Sequence, residues 1–145
     1  MPVLDSLSTS ASYVRQNWST TIDSVVHSRP AFVKRTHDNI IMMDSRLLQY
    51  LLLNLTFHVD IETEDDGSVT CFLKELDLVE NAPSEDICLD KLIEGMKDYA
   101  QDFYNDFSFW SGAPNRKTHI PYVLKILSGD DEDIRRSIVC QGGKN

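Results

Sequence analysis

Residues 10–52 read SASYVRQNWSTTIDSVVHSRPAFVKRTHDNIIMMDSRLLQYLL and contain the clearest secondary-structure signals of the chain. Thr9 or Ser10 can cap a helix by accepting a hydrogen bond from a free backbone N–H group. Pro30 disfavours helical geometry in the residue before it, so the helix is expected to end at residues 28–30. Between these limits, apolar residues recur at steps of three and four and form one stripe: Val14, Trp18, Ile22, Val25 and Val26.

Two short strands and a second helix are expected after Pro30. The strands are Ala31–Arg35 and Ile40–Met43, and residues 36–39 form the turn, because Asp and Asn tolerate tight turn geometry. Asp44 or Ser45 can cap the helix, which carries a run of leucines: Leu47, Leu48, Leu51 and Leu52.

Charge divides the chain into two unequal parts, although the whole is acidic, with a net charge of −9. Residues 1–55 hold five Lys/Arg and four Asp, which gives +1. Residues 56–145 hold nine Lys/Arg and nineteen Asp/Glu, which gives −10. Such asymmetry indicates a different partner for each half, although a solvated acidic face is an equally simple explanation.

Three widely spaced cysteines, Cys71, Cys88 and Cys140, show no ligand spacing and favour reduced thiols over a disulfide framework. The N-terminus has no basic segment followed by an apolar run, so no secretory signal is expected. The apolar run of residues 47–55 is too short to cross a bilayer. These features predict a cytoplasmic protein without a membrane partner.

The second half is predicted to begin with a hairpin. Phe57, Val59 and Ile61 alternate with polar residues, and residues 64–67 (EDDG) form a turn before a return strand at residues 69–73. A third strand is expected at residues 76–79, followed by a long helix that Ser84 caps. Further helices are expected at residues 118–127 and 130–139.

No constellation in the sequence supports catalysis. The histidines are scattered at residues 27, 37, 58 and 119, and none belongs to a metal-ligand pattern. Phosphate-binding glycine loops and nucleophile motifs are absent from the sequence. We therefore expect no enzyme activity, no catalytic residues, no metal and no cofactor.

Cations cluster in the first half, where Arg15 lies in a helix and Lys34 and Arg35 end a strand. Phosphate binding needs positive charge and donors that converge over a few residues, and Arg can also read guanine edges. The pattern is compatible with DNA binding, but Arg15 could instead form an ion pair with Asp23 or Asp38.

Residues 1–55 resemble the Phd/YefM (prevent-host-death) antitoxin family. The resemblance lies in three elements in order: residues 10–18 (SASYVRQNW), residues 29–35 (RPAFVKR) and residues 40–44 (IIMMD) with the leucine helix that follows. The family's helix arginine falls on Arg15 and its strand-end arginine on Arg35. Both would contact DNA, with Ser10, Ser12 and Lys34 as further candidates beside them.

The resemblance implies an antitoxin of a bacterial type II toxin–antitoxin operon. Such proteins dimerise through a small N-terminal unit, bind operator DNA with it, and neutralise a toxin with a C-terminal extension. Residues 57–104 also resemble a HicB-type antitoxin domain through the acidic hairpin, the ELDL strand and the PSEDICLDKL helix. The tail from Trp110 is similar to RelB-like antitoxins.

Together these inferences predict an α+β protein of two modules. Residues 1–55 would be a Phd/YefM-like homodimerising module that binds operator DNA and represses its operon. Residues 56–145 would be an acidic module of a β-hairpin plus helices that binds a cognate toxin, for example a basic ribonuclease. The alternatives are a protein-interaction module that does not bind DNA and a small enzyme.

Overall fold

The computed structural model describes residues 3–142 and confirms the α+β class. Contacts between Cα atoms divide the chain into two compact units. Unit 1 comprises Met1–Tyr50 and unit 2 comprises Leu51–Asn145. Each unit has its own sheet, of three strands in unit 1 and four in unit 2.

Unit 1 places its short helices beside a three-stranded sheet of order β1-β2-β3. Strand β1 pairs in parallel with β2, and β2 pairs antiparallel with β3. The elements are α1 (Val3–Leu7), β1 (Thr9–Ser10), α2 (Ala11–Gln16), α3 (Trp18–His27), β2 (Ala31–Arg35), β3 (Asp38–Met42) and α4 (Ser45–Leu51).

The prediction of a single N-terminal helix is wrong, because the helix is broken at Asn17. Asn17 leaves helical geometry with φ −121° and ψ 44°, and its Nδ2 donates to the Tyr13 carbonyl at 3.0 Å. A side chain that bonds the preceding turn competes with the helical ladder and ends it. Of the two predicted caps, Thr9 and Ser10, the structure shows Ser10, since its hydroxyl accepts from the Tyr13 N–H at 3.1 Å.

The hairpin forms as predicted but with a shorter connection than the sequence suggested. Only Thr36 and His37 connect the strands, while Asp38 and Asn39 belong to β3 and pair with Arg35 and Lys34. Thr36 adopts a positive φ of 54° to close this two-residue turn. Two-residue hairpin turns commonly need positive φ. This conformation is strained for a β-branched residue such as Thr36.

Unit 1 buries few apolar side chains. Among its described hydrophobic residues, only Val14, Val25 and Val33 are buried, and each keeps 5–8% of its surface exposed. The predicted helical stripe therefore holds only in part, since Trp18 is 55% exposed and Val26 is also exposed. The hydrophobic side chains that remain exposed are Val3, Leu4, Leu7, Tyr13, Trp18, Val26, Ile40, Ile41 and Tyr50.

Unit 2 has a sheet of order β6-β5-β4-β7. The predicted hairpin is confirmed as β4 (Phe57–Thr63) and β5 (Val69–Leu73), and Gly67 takes a φ of +87° in its turn. Strand β6 (Leu78–Ala82) begins two residues later than predicted. Alternate side chains on β4 and β5 are buried and face the helices: Phe57, Val59, Ile61, Val69, Cys71 and Leu73.

One long helix, α5 (Glu85–Asn105), covers the sheet of unit 2. The predicted cap is confirmed, because the Ser84 hydroxyl accepts from the Ile87 N–H at 3.4 Å. Its apolar stripe fills the core with Cys88, Leu92, Ile93, Met96, Ala100 and Phe103. Each is at most 2% exposed, so this stripe is a core face rather than a binding surface.

The remaining elements of unit 2 are α6 (Phe107–Gly112), a 3-10 helix (Lys117–His119), α7 (Ile120–Ser128), α8 (Asp131–Arg136) and β7 (Ile138–Gly142). The prediction of a helix over residues 130–139 is therefore wrong at its end. Asp130 and Asp133 form a reciprocal capping box that starts α8, but residues 138–142 pair in parallel with β4. Phe57 is the register partner of Ile138, and β7 thus pairs with the side of β4 that faces away from β5.

Candidate nucleic-acid interface

The five sequence-predicted contact residues lie on two neighbouring segments of unit 1. Ser10 ends β1, and Ser12 and Arg15 follow it on α2, while Lys34 and Arg35 end β2. Because β1 and β2 are parallel, their C-terminal ends meet at one edge of the sheet, where Ser10 is the register partner of Lys34. The structure thus brings Ser10 and Lys34 together.

Arg15 is exposed in the last turn of α2. Within residues 3–142 it forms no ion pair, so the alternative pairing with Asp23 or Asp38 is not observed. Ser12 is also exposed on the same helix. Among the described residues, the Arg15 side chain forms no hydrogen bond or ion pair with the end of β2.

Lys34 and Arg35 both have acidic neighbours. Arg35 Nη2 lies 2.8 Å from Asp38 Oδ2 across the hairpin, and Lys34 Nζ lies 3.6 Å from Asp5 Oδ1. The side chain of Arg35 is 71% exposed. Surface ion pairs of this kind contribute only about 0–1 kcal/mol, so a phosphate can compete for either cation.

A different cation, Arg46, is held more firmly. Its guanidinium contacts both carboxylate oxygens of Asp44, at 2.8 and 3.0 Å, and its backbone N–H also donates to Asp44. These hydrogen bonds lower the pKa of Asp44 to about 2 and raise the pKa of Arg46. Arg46 therefore pairs with Asp44 at the start of α4 and is not one of the cations at the end of β2.

Sequence reasoning missed a cavity of about 330 Å³ in unit 1. Residues from α1, β1, α2, α3 and the start of β2 line it: Leu7, Thr9, Tyr13, Val14, Thr20, Thr21, Ser24, Arg29, Pro30, Ala31 and Phe32. The helical spacing of Thr20, Thr21 and Ser24 was the only sequence signal for it, since the other members come together through tertiary packing.

Unit 2 carries two side-chain clusters around histidines. The Glu75 carboxylate accepts from the backbone N–H of His58 at 2.7 Å, and its second oxygen lies 2.6 Å from His58 Nδ1, so these contacts join the turn after β5 to β4. The second cluster joins Tyr99, Arg116 and His119. Within the described range, no three His, Cys, Asp or Glu side chains are grouped so that they could hold a metal ion.

None of the helices in residues 3–142 combines sufficient length with sufficient apolar character to span a bilayer.

Comparison with known proteins gives a family match over most of the chain. The PHD-like family, described as antitoxins of RelE/RelB toxin–antitoxin systems, matches residues 6–140. This single match spans both units, whereas the finer assignment of residues 1–55 to Phd/YefM stays a prediction. No curated protein matches the chain significantly.

A solved structure is also similar, the antitoxin part of an inferred toxin–antitoxin system from Syntrophomonas wolfei subsp. wolfei. The two chains share 35% identity and superpose with a TM-score of 0.87. The match covers 93% of this chain and 98% of the other. The likeness thus extends over both units, and the chain belongs to the PHD-like antitoxin family of RelE/RelB toxin–antitoxin systems.

Proposed function

We propose that this antitoxin binds the operator DNA of its own operon through unit 1 and represses transcription. The observation that carries the proposal is the parallel pairing of β1 with β2. This pairing places Ser10, the cap of α2, beside Lys34 at the C-terminal ends of the two strands. Arg15 on the same helix offers an exposed guanidinium without an ion-pair partner in the described structure.

Electrostatics supports a binding mode dominated by phosphates. Unit 1 has a net charge of +1, while unit 2 has −10. Release of counterions from the DNA drives this kind of binding, so affinity should fall steeply as salt rises. Arg15 and Arg35 are proposed as the main contacts, with Lys34, Ser10 and Ser12 beside them.

Unit 1 is proposed to act as a homodimer. A unit of 50 residues with three buried valines has too little core to be stable on its own, and it leaves Trp18, Ile40, Ile41 and Tyr50 exposed. Strand β3 is an edge strand, and its residues 38–41 are exposed. A second copy would cover such surfaces and double the DNA contacts over a two-fold symmetric site.

Unit 2 is proposed to bind the cognate toxin and mask it without catalysis. Its core is well packed, so it can present a preformed surface rather than a segment that orders on binding. A charge of −10 would steer a basic toxin, such as a ribonuclease, to that surface. The protein would thus be a cytoplasmic regulator with two partners, operator DNA and toxin.

A gel shift with the DNA upstream of its own gene tests the DNA-binding proposal. The Arg15→Ala/Arg35→Ala variant should lose the specific shift, whereas Arg135→Ala/Arg136→Ala should keep it. The control removes the same charge from unit 2, where both arginines already pair with carboxylates. Circular dichroism spectra of the variants should match that of the wild type.

The alternative is a protein-interaction module without DNA binding, which the pairing of Lys34 and Arg35 with acidic neighbours favours. A wild-type dimer that gives no shift at low salt, with and without the product of the adjacent gene, would establish that alternative. An equal shift by the double variant would instead show that Arg15 and Arg35 are not the contacts.

The toxin-binding proposal needs a separate measurement. Co-expression with the product of the adjacent gene should give a complex that co-purifies at low salt and weakens as salt rises. Failure of the neighbouring protein to bind the full chain would contradict this part and leave the DNA test unaffected.

A further inference from the structure

The cavity of unit 1 has a lining that differs from the set of proposed DNA contacts. Its volume of about 330 Å³ lies at the lower end of the range for small-molecule sites, which is about 300–1,000 Å³. None of the five predicted DNA contacts is among its described lining residues. The cavity is therefore not explained by DNA binding.

Three hydroxyl-bearing residues of α3 line one side of the cavity. Thr20, Thr21 and Ser24 lie at positions i, i+1 and i+4 of α3 and so share one helix face. Helical Ser and Thr hydroxyls often bond the carbonyl of the preceding turn, as Ser8 does in α1 at 2.6 Å. The three hydroxyls of α3 make no hydrogen bond to any described residue.

Arg29 supplies positive charge to the same cavity. Within residues 3–142 its guanidinium has no ion-pair partner, and the described lining includes no Asp or Glu. In a chain with 23 acidic residues against 14 Lys and Arg, a cavity lined by one Arg and no described acid favours an anion over a cation. The planar guanidinium of an Arg can donate two parallel hydrogen bonds to a carboxylate or a phosphate.

Most of the remaining lining residues are apolar, although Thr9 and Tyr13 each add a hydroxyl group. Val14 is buried, and Leu7, Pro30, Ala31 and Phe32 add further hydrocarbon surface. A free phosphate or a DNA backbone phosphate would use Arg29 and the hydroxyls but would leave this surface uncovered. The lining therefore matches a molecule with an anionic group at one end and an apolar body at the other.

We propose that this cavity binds a small organic anion. Its carboxylate or phosphate group is held by Arg29 and the hydroxyls of Thr20, Thr21 and Ser24, and its apolar body lies against Val14 and Phe32. The site is independent of the DNA and toxin partners proposed above, so a direct binding measurement tests it alone.

The test is an NMR titration of the full-length ¹⁵N-labelled protein with benzoate and with phenyl phosphate. Benzyl alcohol serves as the neutral analogue, and inorganic phosphate serves as the anion without an apolar body. We expect saturable shifts of the Thr20, Thr21, Ser24 and Ala31 amide signals with a dissociation constant of about 1 mM or below. Benzyl alcohol should bind at least about tenfold more weakly, since it lacks the charge that Arg29 recognises.

Arg29→Gln should weaken benzoate binding by about tenfold or more with an otherwise unchanged spectrum. The matched control is Arg46→Gln, which removes a cation of unit 1 outside the cavity and should leave the affinity unchanged. Thr21→Val, a change of nearly equal volume, should weaken binding several-fold and provides a second variant if Arg29→Gln perturbs the fold.

Several results would overturn the proposal. Shifts that do not saturate would show that the cavity takes no such ligand. Equal binding of benzoate and benzyl alcohol, or unchanged binding by both Arg29→Gln and Thr21→Val, would remove the role of the polar lining. Inorganic phosphate that binds as tightly as phenyl phosphate would indicate an adventitious ion only.

Discussion

The hydroxyl of Tyr99 lies 2.6 Å from Nδ1 of His119 and joins α5 to the 3-10 helix. Arg116 donates to the same hydroxyl at 3.0 Å and lies over the rings of Tyr99 and Trp110. Arg116 can only donate, so it leaves the Tyr99 O–H free to donate to Nδ1 whenever that nitrogen carries no proton, as in one tautomer of the neutral imidazole. His119 is only 4% exposed, and burial and then the nearby charge of Arg116 lower its pKa below 6.5.

This pKa shift predicts that unit 2 loses stability in mild acid. The unfolded chain takes up a proton near pH 6.5, whereas folded His119 does so only at lower pH. The free energy of unfolding should therefore fall as pH decreases from about 7 through 6.5 and level off below the folded pKa. Urea unfolding at each pH, monitored by tryptophan fluorescence, measures this free energy.

The His119→Gln variant should show a flatter pH dependence over that range, because it removes the titrating group. His58→Gln is the control, since that side chain is part-exposed beside Glu75. If the free energy of unfolding depended equally on pH in the wild type and in His119→Gln, His119 would not be the group responsible.

The Arg35–Asp38 pair predicts that one acidic side chain limits DNA affinity. Asp38 holds Arg35 at 2.8 Å, and its charge would repel a phosphate at the sheet edge. On the proposed DNA-binding function, Asp38→Asn should raise the affinity several-fold at low salt, and less at high salt because screening weakens the repulsion. Fluorescence anisotropy with operator DNA measures this.

Asp23→Asn is the matched control, because it makes the same charge change at an exposed position of α3 that has no ion pair in the described structure. If both variants raise affinity equally, net charge rather than the release of Arg35 is responsible.

The cysteines predict a graded reactivity. Cys71 and Cys88 are fully buried, and burial, with a hydrogen bond to Cys88, raises the pKa of Cys71 to about 12. Cys140 is exposed on β7, although partial burial of its thiol still raises its pKa. Iodoacetamide at pH 8 should therefore label one thiol per native chain, slowly, and three after unfolding. Mass spectrometry of the digested protein should find the native label on Cys140, and early label on Cys71 would contradict the buried core.

Adjacent aromatic residues on α5 provide a stability test of the core. Phe103 is 1% exposed and packs against Tyr99, Phe107 and Trp110. Phe103→Ala should lower the free energy of unfolding by about 3–5 kcal/mol because it leaves a cavity. Tyr104→Ala, at a position 63% exposed, should change it by about 0.5 kcal/mol or less. Comparable losses in both variants, measured by urea unfolding, would contradict this packing.

Local patterns predicted the elements whose stabilising contacts lie close in sequence. The hairpin of β4 and β5 needs only its alternating residues and Gly67, and α5 needs the Ser84 cap and its apolar stripe. The capped start of α2 at Ser10 is equally local. The charge division between the halves also follows from composition alone.

The break at Asn17 and the strand β7 could not be predicted in this way. A helical pattern continues through Asn17, and only the bond of its side chain to Tyr13 shows that the helix ends there. Residues 138–142 form a strand because β4 has a free edge, and Phe57 and Ile138 lie some eighty positions apart. Neither segment alone contains the information that specifies this pairing.

For the candidate site, local sequence patterns predicted which charged residues matter and that Arg15, Lys34 and Arg35 belong to one small unit. Whether these residues contact DNA stays a prediction. Only the tertiary structure placed Ser10 beside Lys34, paired Arg35 with Asp38, and assembled the cavity around Arg29. The physical reason is that charge and helix capping are local properties of the chain, whereas a cavity and a strand register depend on which distant segments pack together.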